Sequence, residues 1–258
     1  MFFYPIKTHF FDPEDFSIKH EIVSFTSHDN ILLNGWIFPS KQPSNKTIIF
    51  LHGNAGNISL QAGNIYWLTE HGFNVFIFDY RGYGHSQGEA TLDNIIRDID
   101  SAIAFIIEKS NKNTEYFVIG HSLGASMAIY ALSNSQYKQH ISSVILISGF
   151  ADYQVIAREV LSRHWLTWAL QWPLSYTVTD KYRPLDHIQN LSPLPVIIMH
   201  SPDDQSIPYY NAEQLFQKAR EPKQLVDIKG GHNHIFDISW NKQALLDLLQ
   251  NTSGQIIK

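Results

Sequence analysis

A short segment in the middle of the chain most constrains its fold. Residues 116–131 change from an apolar run of β-formers to an Ala-rich run with good helix propensity, and Gly120-His121-Ser122-Leu123-Gly124 stand at the junction. The glycines at 120 and 124 allow a sharp strand-to-helix turn, because a Cβ at either place would clash with neighbouring backbone. This turn, which we call the elbow, would present the Ser122 hydroxyl at a helix N-terminus, where developing negative charge is favoured. Ser122 is therefore a candidate nucleophile, and the alternative interpretation is an ordinary helix N-cap.

Composition excludes several classes of protein. The net charge is −5 and no run of Lys or Arg occurs, so a nucleic-acid partner is not expected. Cysteine is absent, which excludes disulfides and thiolate metal sites. No apolar run approaches the ~20 residues that span a bilayer.

The first four residues, Met-Phe-Phe-Tyr, are apolar but too short a run for a signal peptide. Two interpretations are open: the run packs on the domain, or it is the end of a membrane anchor that the sequence does not include. A cytoplasmic location is the default expectation. Membrane attachment or a periplasmic location would require such an anchor.

Buried strands alternate with helices along most of the chain, and this pattern predicts one α/β domain over residues 1–258 with a mostly parallel sheet and helices on both faces. An N-terminal hairpin, 21–26 with 31–38, adds antiparallel strands at one edge. The buried strands are expected at 47–51, 73–78, 143–147, 196–199 and 224–228. The helices are expected at 58–71, 91–110, 208–220 and 238–250.

One stretch, at about residues 151–194, departs from this alternation and is rich in aromatic residues. We interpret it as a small helical cap inserted above the sheet. Its Trp165, Trp168 and Trp172 could line an apolar acyl pocket. Alternatively, they only pack the insertion onto the sheet.

Two loops after predicted strands carry the side chains that a serine nucleophile needs. Asp203 and Asp204 follow the strand 196–199, and either could be the acid or cap the next helix. His232 follows the last strand behind two glycines and is the candidate base, since its pKa range suits proton transfer near neutral pH. His234 has no third ligand nearby in sequence, so neither a metal nor a cofactor is expected.

An oxyanion site requires two N–H donors near the nucleophile. One is expected from Leu123, the residue after the serine, and the other from Asn54 in the loop after strand 47–51. A phosphate-binding loop is the competing interpretation of residues 53–57. The segment lacks the Lys-Ser/Thr of a P-loop and the third glycine of a dinucleotide fingerprint.

Taken together, these motifs resemble the α/β-hydrolase superfamily, and within it the Bem46-like branch, over about residues 20–250. The resemblance rests on Leu51-His52-Gly53-Asn54-Ala55-Gly56-Asn57, Asp79-Tyr80-Arg81-Gly82-Tyr83-Gly84, the elbow, Asp204 four residues before Pro208, and Gly230-Gly231-His232-Asn233. The family spacing Asp-x-x-Ile/Val-Pro implies that Asp204 is the acid. Ala125 departs from the pattern, because many relatives have glycine there.

The resemblance and the residues imply a serine hydrolase that cleaves small-molecule carboxylic esters through an acyl-serine intermediate. Ser122 would attack, His232 would transfer the proton, and Asp204 would orient the imidazole. A thioesterase, amidase or acyltransferase would use the same three residues. A catalytically silent binding protein on a hydrolase fold is the third alternative.

Overall fold

A computed structural model describes residues 3–163 and 167–252, and an eight-stranded sheet forms its centre. A separate pair of two-residue strands, β1 and β5, lies outside this sheet and runs parallel. The strands are β1 (Tyr4–Pro5), β2 (Glu21–Thr26), β3 (Leu32–Phe38), β4 (Lys46–Leu51), β5 (Ala55–Gly56), β6 (Asn74–Phe78), β7 (Glu115–His121), β8 (Ile141–Ile147), β9 (Val196–His200) and β10 (Lys223–Asp227).

The strand order across the sheet is β10-β9-β8-β7-β4-β6-β3-β2. The first six run parallel to one another, and β3 is antiparallel to both β6 and β2. The predicted fold class, a mostly parallel sheet with an N-terminal antiparallel hairpin, is therefore confirmed.

Helices cover both faces of the sheet, as the alternating pattern predicts. α2, α3 and α7 contribute to the apolar core on one face, and α1 and α8 to the core on the other. The helices are α1 (Ile58–Gln61), α2 (Leu92–Lys109), α3 (Leu123–Asn134), α4 (Tyr153–Ser162), α5 (Gln171–Ser175), α6 (Pro184–His187), α7 (Tyr210–Lys218) and α8 (Ser239–Thr252). None of them has the length and apolar character that crossing a bilayer requires, within the ranges that the structure describes.

The strands contribute alternate side chains to the two cores. In β4, Ile49 and Leu51 face one core while Ile48 and Phe50 face the other, and all four are fully buried. Successive side chains of a strand point to opposite faces, so every position of a strand that is buried on both sides faces an apolar core. This explains the continuous apolar run from which the strand is predicted.

The prediction of a single helix over residues 58–71 is wrong in detail. The structure has the short α1, then two 3₁₀ segments at Ala62–Asn64 and Tyr66–His71. Gly63 and Asn64 interrupt the segment, and both residue types weaken an α-helix, glycine most of all. The chain continues in tighter turns and still buries Ile65 and Leu68 against the sheet.

The sheet changes direction of progression at β4. The chain goes from β4 to β6 on one side and then to β7 on the other side of β4. Ligands of parallel α/β sheets bind at such a switch point, outside the carboxyl ends of the strands. The loops that follow β4 and β7 are the two that carry Asn54 and Ser122.

Candidate active site

The backbone at Ser122 is strained in the way that the elbow motif predicts. Its φ is 53° and its ψ is −117°, and α3 begins at the next residue. A Cβ added at Gly124 would lie 2.1 Å from the carbonyl oxygen of Leu51, and one at Gly120 would lie 2.6 Å from the Cα of Ala125. Only glycine fits at these two places. The Ser122 side chain makes no capping hydrogen bond to α3, so the N-cap interpretation does not explain this residue.

Three side chains from three loops form a continuous chain of hydrogen bonds. Nε2 of His232 lies 2.9 Å from Oγ of Ser122, and Nδ1 of His232 lies 2.7 Å from Oδ2 of Asp204. These distances suit proton transfer between the alcohol and the imidazole while a carboxylate holds the opposite nitrogen. The structure thus brings together the three residues that the sequence singled out from widely separated positions.

Asp204 is held in its ionised form by its surroundings. Its side chain is fully buried, and Oδ1 accepts hydrogen bonds from the backbone N–H groups of Ser206 (2.8 Å) and Ile207 (2.9 Å). Burial by itself would raise the pKa of this carboxyl, but hydrogen bonds from His232 and from these two N–H groups outweigh it, so the pKa lies below its ordinary value. Asp203 is exposed.

Buried histidines surround the three residues and stay uncharged. Burial lowers the pKa of His121 to about 3 and that of His52 to about 4. Burial likewise lowers the pKa of His200, whose Nε2 lies 2.8 Å from the carbonyl oxygen of Ile207 and 3.7 Å from Oδ2 of Asp204. Neutral imidazoles here add no positive charge that would compete with His232 for the aspartate.

The loop after β4 approaches the nucleophile closely. A Cβ added at Gly53 would lie 3.7 Å from Cβ of Ser122. The next residue, Asn54, is held by the Tyr83 hydroxyl, which lies 2.8 Å from its carbonyl oxygen and 3.1 Å from its Oδ1. Leu123 is the first residue of α3, so its N–H has no acceptor within the helix. Both residues proposed as oxyanion donors therefore lie on segments next to Ser122.

The aromatic residues of the insertion lie on the surface. Trp168 is 61% exposed and Trp172 is 56% exposed, and the guanidinium of Arg158 lies 4.7 Å from the centre of the Trp172 ring. Trp165 lies outside the described residues. An acyl-pocket role for these tryptophans stays a prediction.

Residues 4–10 contact the loop that carries Asn54, although the sequence pattern offers an interpretation only for the apolar run that ends at Tyr4. Contacts between such distant segments leave no local pattern. The histidine at 234 is exposed and pairs with Asp237 at 3.2 Å. Among residues 3–163 and 167–252, no group of three His, Cys, Asp or Glu side chains is placed to hold a metal ion.

Comparisons with known proteins bear on the family and the fold of the chain. The model of the family described as "Serine aminopeptidase, S33" matches residues 42–190. The protein YfhR of Escherichia coli K12, named as uncharacterized, is 34% identical over 237 residues, which are 90% of this chain and 79% of YfhR. The Schizosaccharomyces pombe protein bem46 is 25% identical over 201 residues, which are 76% of this chain and 64% of bem46.

Among solved structures, a Pyrococcus furiosus esterase, Pf2001, has a similar fold. Its TM-score is 0.77 at 21% sequence identity, and the match covers 96% of this chain and 98% of the esterase. At this identity the similarity supports the fold alone.

Proposed function

Because this chain belongs to the α/β-hydrolase superfamily, we propose that it is a serine hydrolase that cleaves carboxylic esters through an acyl-serine intermediate. The observation that carries the proposal is the chain of hydrogen bonds from Ser122 through His232 to Asp204. A protein that only binds a ligand does not require a serine, a histidine and an aspartate in this order. The strained backbone of Ser122 would then lower its stability without serving a function.

In the first half of the proposed reaction, Nε2 of His232 removes the proton from Oγ of Ser122 as that oxygen attacks the ester carbonyl. Asp204 fixes the imidazole tautomer, because Nδ1–H donates to its carboxylate, and it stabilises the imidazolium that forms. The N–H groups of Leu123 and Asn54 are the proposed donors to the oxyanion. His232 then gives its proton to the leaving alcohol.

In the second half, water takes the place of the alcohol. His232 removes a proton from the water, the resulting nucleophile attacks the acyl-serine carbonyl, and collapse of the intermediate returns the proton to Ser122. The products are a carboxylic acid and the free enzyme. A thioester would follow the same steps with a thiol as leaving group, and an acyltransferase would admit an alcohol or amine in place of water.

Hydrolysis of an amide is the second candidate function, and the description of the matching family as a serine aminopeptidase favours it. The same three residues would act, with His232 protonating an amine leaving group.

The test is the turnover of three substrates that share one acyl group: a p-nitrophenyl ester, a thioester and an anilide. We expect the ester to give the largest kcat/KM, and Ser122→Ala to abolish its hydrolysis. A larger kcat/KM for the anilide would favour the amidase. If the folded wild-type protein turned over none of the three, the proposal of a serine hydrolase would fail.

A further inference from the structure

We propose that the N-terminal segment Tyr4–Phe10, which we call the strap, positions the loop that carries the oxyanion donor Asn54. We call residues 52–59 the donor loop. The inference rests on the proposed function, because it assigns the strap a part in stabilising the oxyanion. In this proposal, the strap supports the site around Ser122 although it lies more than 100 residues away in the sequence.

The strap is joined to the donor loop by backbone pairing. Tyr4 and Pro5 pair in parallel with Ala55 and Gly56, and the N–H of Ile6 donates to the carbonyl oxygen of Gly56 at 3.2 Å. The N–H of Tyr4 also donates to Oδ1 of Asn54 at 3.2 Å. Asn54 is therefore held from two sides, by the strap and by the Tyr83 hydroxyl.

One buried side chain of the donor loop, Asn57, contacts both the strap and the helix that follows. Its Nδ2 donates to the carbonyl oxygens of Ile6 (2.9 Å) and Thr8 (2.7 Å). Its Oδ1 accepts from the N–H of Ser59 at 3.0 Å and thereby caps α1. Asn57 is fully buried, so water cannot replace these partners without a change of structure.

A second buried residue, Asp79, links the strap to the donor loop from the end of β6. Its Oδ2 lies 2.8 Å from Nε2 of His9 on the strap, and its Oδ1 accepts from the N–H of Ile58 at 3.0 Å. The side chain of Asp79 is fully buried. The strap thus contacts the donor loop directly and is linked to its later part through the residue that follows β6.

These contacts are polar, and the apolar side chains of the strap add little to the core. Tyr4 is 60% exposed, Ile6 is 38% exposed and Phe10 is 55% exposed. Loosening the strap should therefore change overall stability modestly. It should change catalysis more, because an oxyanion donor acts only when it is held where the charge develops, and misplacement by about 1 Å can cost roughly 100-fold in rate.

The test is Asn57→Asp in the full-length protein. An aspartate keeps the oxygen that caps α1 but replaces the two donors to the strap with an oxygen that faces their carbonyl groups. We expect kcat for the p-nitrophenyl ester to fall about 10-fold, with KM within about twofold of wild type, because oxyanion contacts form in the transition state. Asn113→Asp, which makes the same chemical change on an exposed turn, is the matched control and should leave kcat unchanged.

Two further readouts separate positioning from general damage. An arylboronic acid, which forms a tetrahedral adduct with the active-site serine, should lose affinity in proportion to kcat. In Tyr4→Pro, which adds no charge, the pH dependence of kcat should keep its wild-type midpoint, because His232 and Asp204 are untouched. Tyr4→Pro removes the N–H donor to Asn54 together with a ring that is 60% exposed, and it should lower kcat and boronate affinity together, so it tests the inference even if Asn57→Asp does not fold.

Wild-type kcat and boronate affinity in Tyr4→Pro, and in Asn57→Asp if it folds, would overturn the inference while leaving the serine hydrolase intact. A shifted pH midpoint in Tyr4→Pro would also overturn it, since the strap would then act on the base. Absence of ester turnover in wild type is a separate result and would instead overturn the proposed function.

Discussion

The elbow and the inserted segment between β8 and β9 show opposite physical designs. At the elbow, the strained backbone of Ser122 lies between two glycines that are packed closely against backbone atoms, and the side chains of His232 and Asp204 that follow it in the hydrogen-bond chain are half-buried and buried. In the insertion, Trp168 and Trp172 are more than half exposed, and the helices there are short.

This contrast indicates which part of the site is fixed before a substrate binds. A preorganised nucleophile needs neighbours that cannot move, and the sheet supplies them at the ends of β4 and β7. A surface that contacts variable parts of a substrate has no such requirement. We therefore expect changes at the elbow and its partners to have large effects, and changes in the insertion to have small, substrate-dependent effects.

The largest expected effect outside Ser122 itself comes from Asp204→Asn. The amide would donate to His232 where the carboxylate accepts, which favours the wrong imidazole tautomer, and kcat should fall by about 10⁴. Steady-state kinetics with the p-nitrophenyl ester measures the loss. Asp203→Asn, at the exposed neighbouring position, is the control and should stay within about twofold of wild type. Equal losses in both variants would contradict the assignment of the acid.

Gly124→Ala should be the most destabilising change at the elbow. The added Cβ would lie 2.1 Å from a backbone oxygen of β4, so the strand and helix would have to separate. We expect the free energy of unfolding, measured by denaturant titration, to fall by about 3 kcal/mol or more. Gly63→Ala meets no atom within 4 Å and should be neutral or slightly stabilising. A stable Gly124→Ala variant would show that β4 and α3 can separate to admit a Cβ at this position.

Acid should destabilise the protein partly through the buried histidine of the elbow. Burial lowers the pKa of His121 from 6.5 to about 3 in the folded state, so below about pH 6.5 the unfolded chain binds a proton that the folded protein does not. Stability is then lost as the pH falls, by up to about 1.4 kcal/mol per pH unit for this group.

Replacing His121 should remove its contribution to the pH dependence of the unfolding free energy. Between pH 6.5 and 4.5, the unfolding free energy of His121→Gln should decrease by about 2 kcal/mol less than that of wild type. Denaturant titrations at several pH values measure both slopes. Identical slopes would mean that His121 binds a proton in the folded protein as readily as in the unfolded chain.

Trp172→Ala should have the smallest effect and tests the insertion. The ring is 56% exposed, and its contact with Arg158 is worth about 0.5–1 kcal/mol at an exposed site, so stability should change by no more than about 1 kcal/mol. If the insertion lines an acyl pocket, KM for a long-chain ester should rise severalfold while KM for the acetate ester stays unchanged. Trp240→Ala, which removes a similar half-exposed ring under Lys229, is the control. If Trp172→Ala left KM for the long-chain ester as unchanged as KM for the acetate ester, the result would count against the acyl pocket.

The sequence predicts the central sheet and the three site loops well because each depends on local chemistry. Strands buried on both faces leave continuous apolar runs, as in residues 47–51. The elbow needs glycine at 120 and 124 for steric reasons that act within a few residues. Such requirements are visible in one stretch of chain.

Features that depend on distant contacts could not be predicted in the same way. The pairing of residues 4–5 with 55–56 joins two segments about 50 residues apart, each too short to show a strand pattern. The 3₁₀ turns at residues 62–71 have a local cause in Gly63 and Asn64, but the apolar spacing of the segment still fits a single helix. The exposure of Trp168 likewise depends on neighbours that the sequence does not specify.

The most direct test of the central claim is to treat the folded protein with a fluorophosphonate and locate the adduct by mass spectrometry of its peptides. The account predicts one phosphonylated residue, Ser122, and no adduct in the Ser122→Ala variant. A folded wild-type protein that stays unlabelled, or an adduct on any other serine, would contradict it.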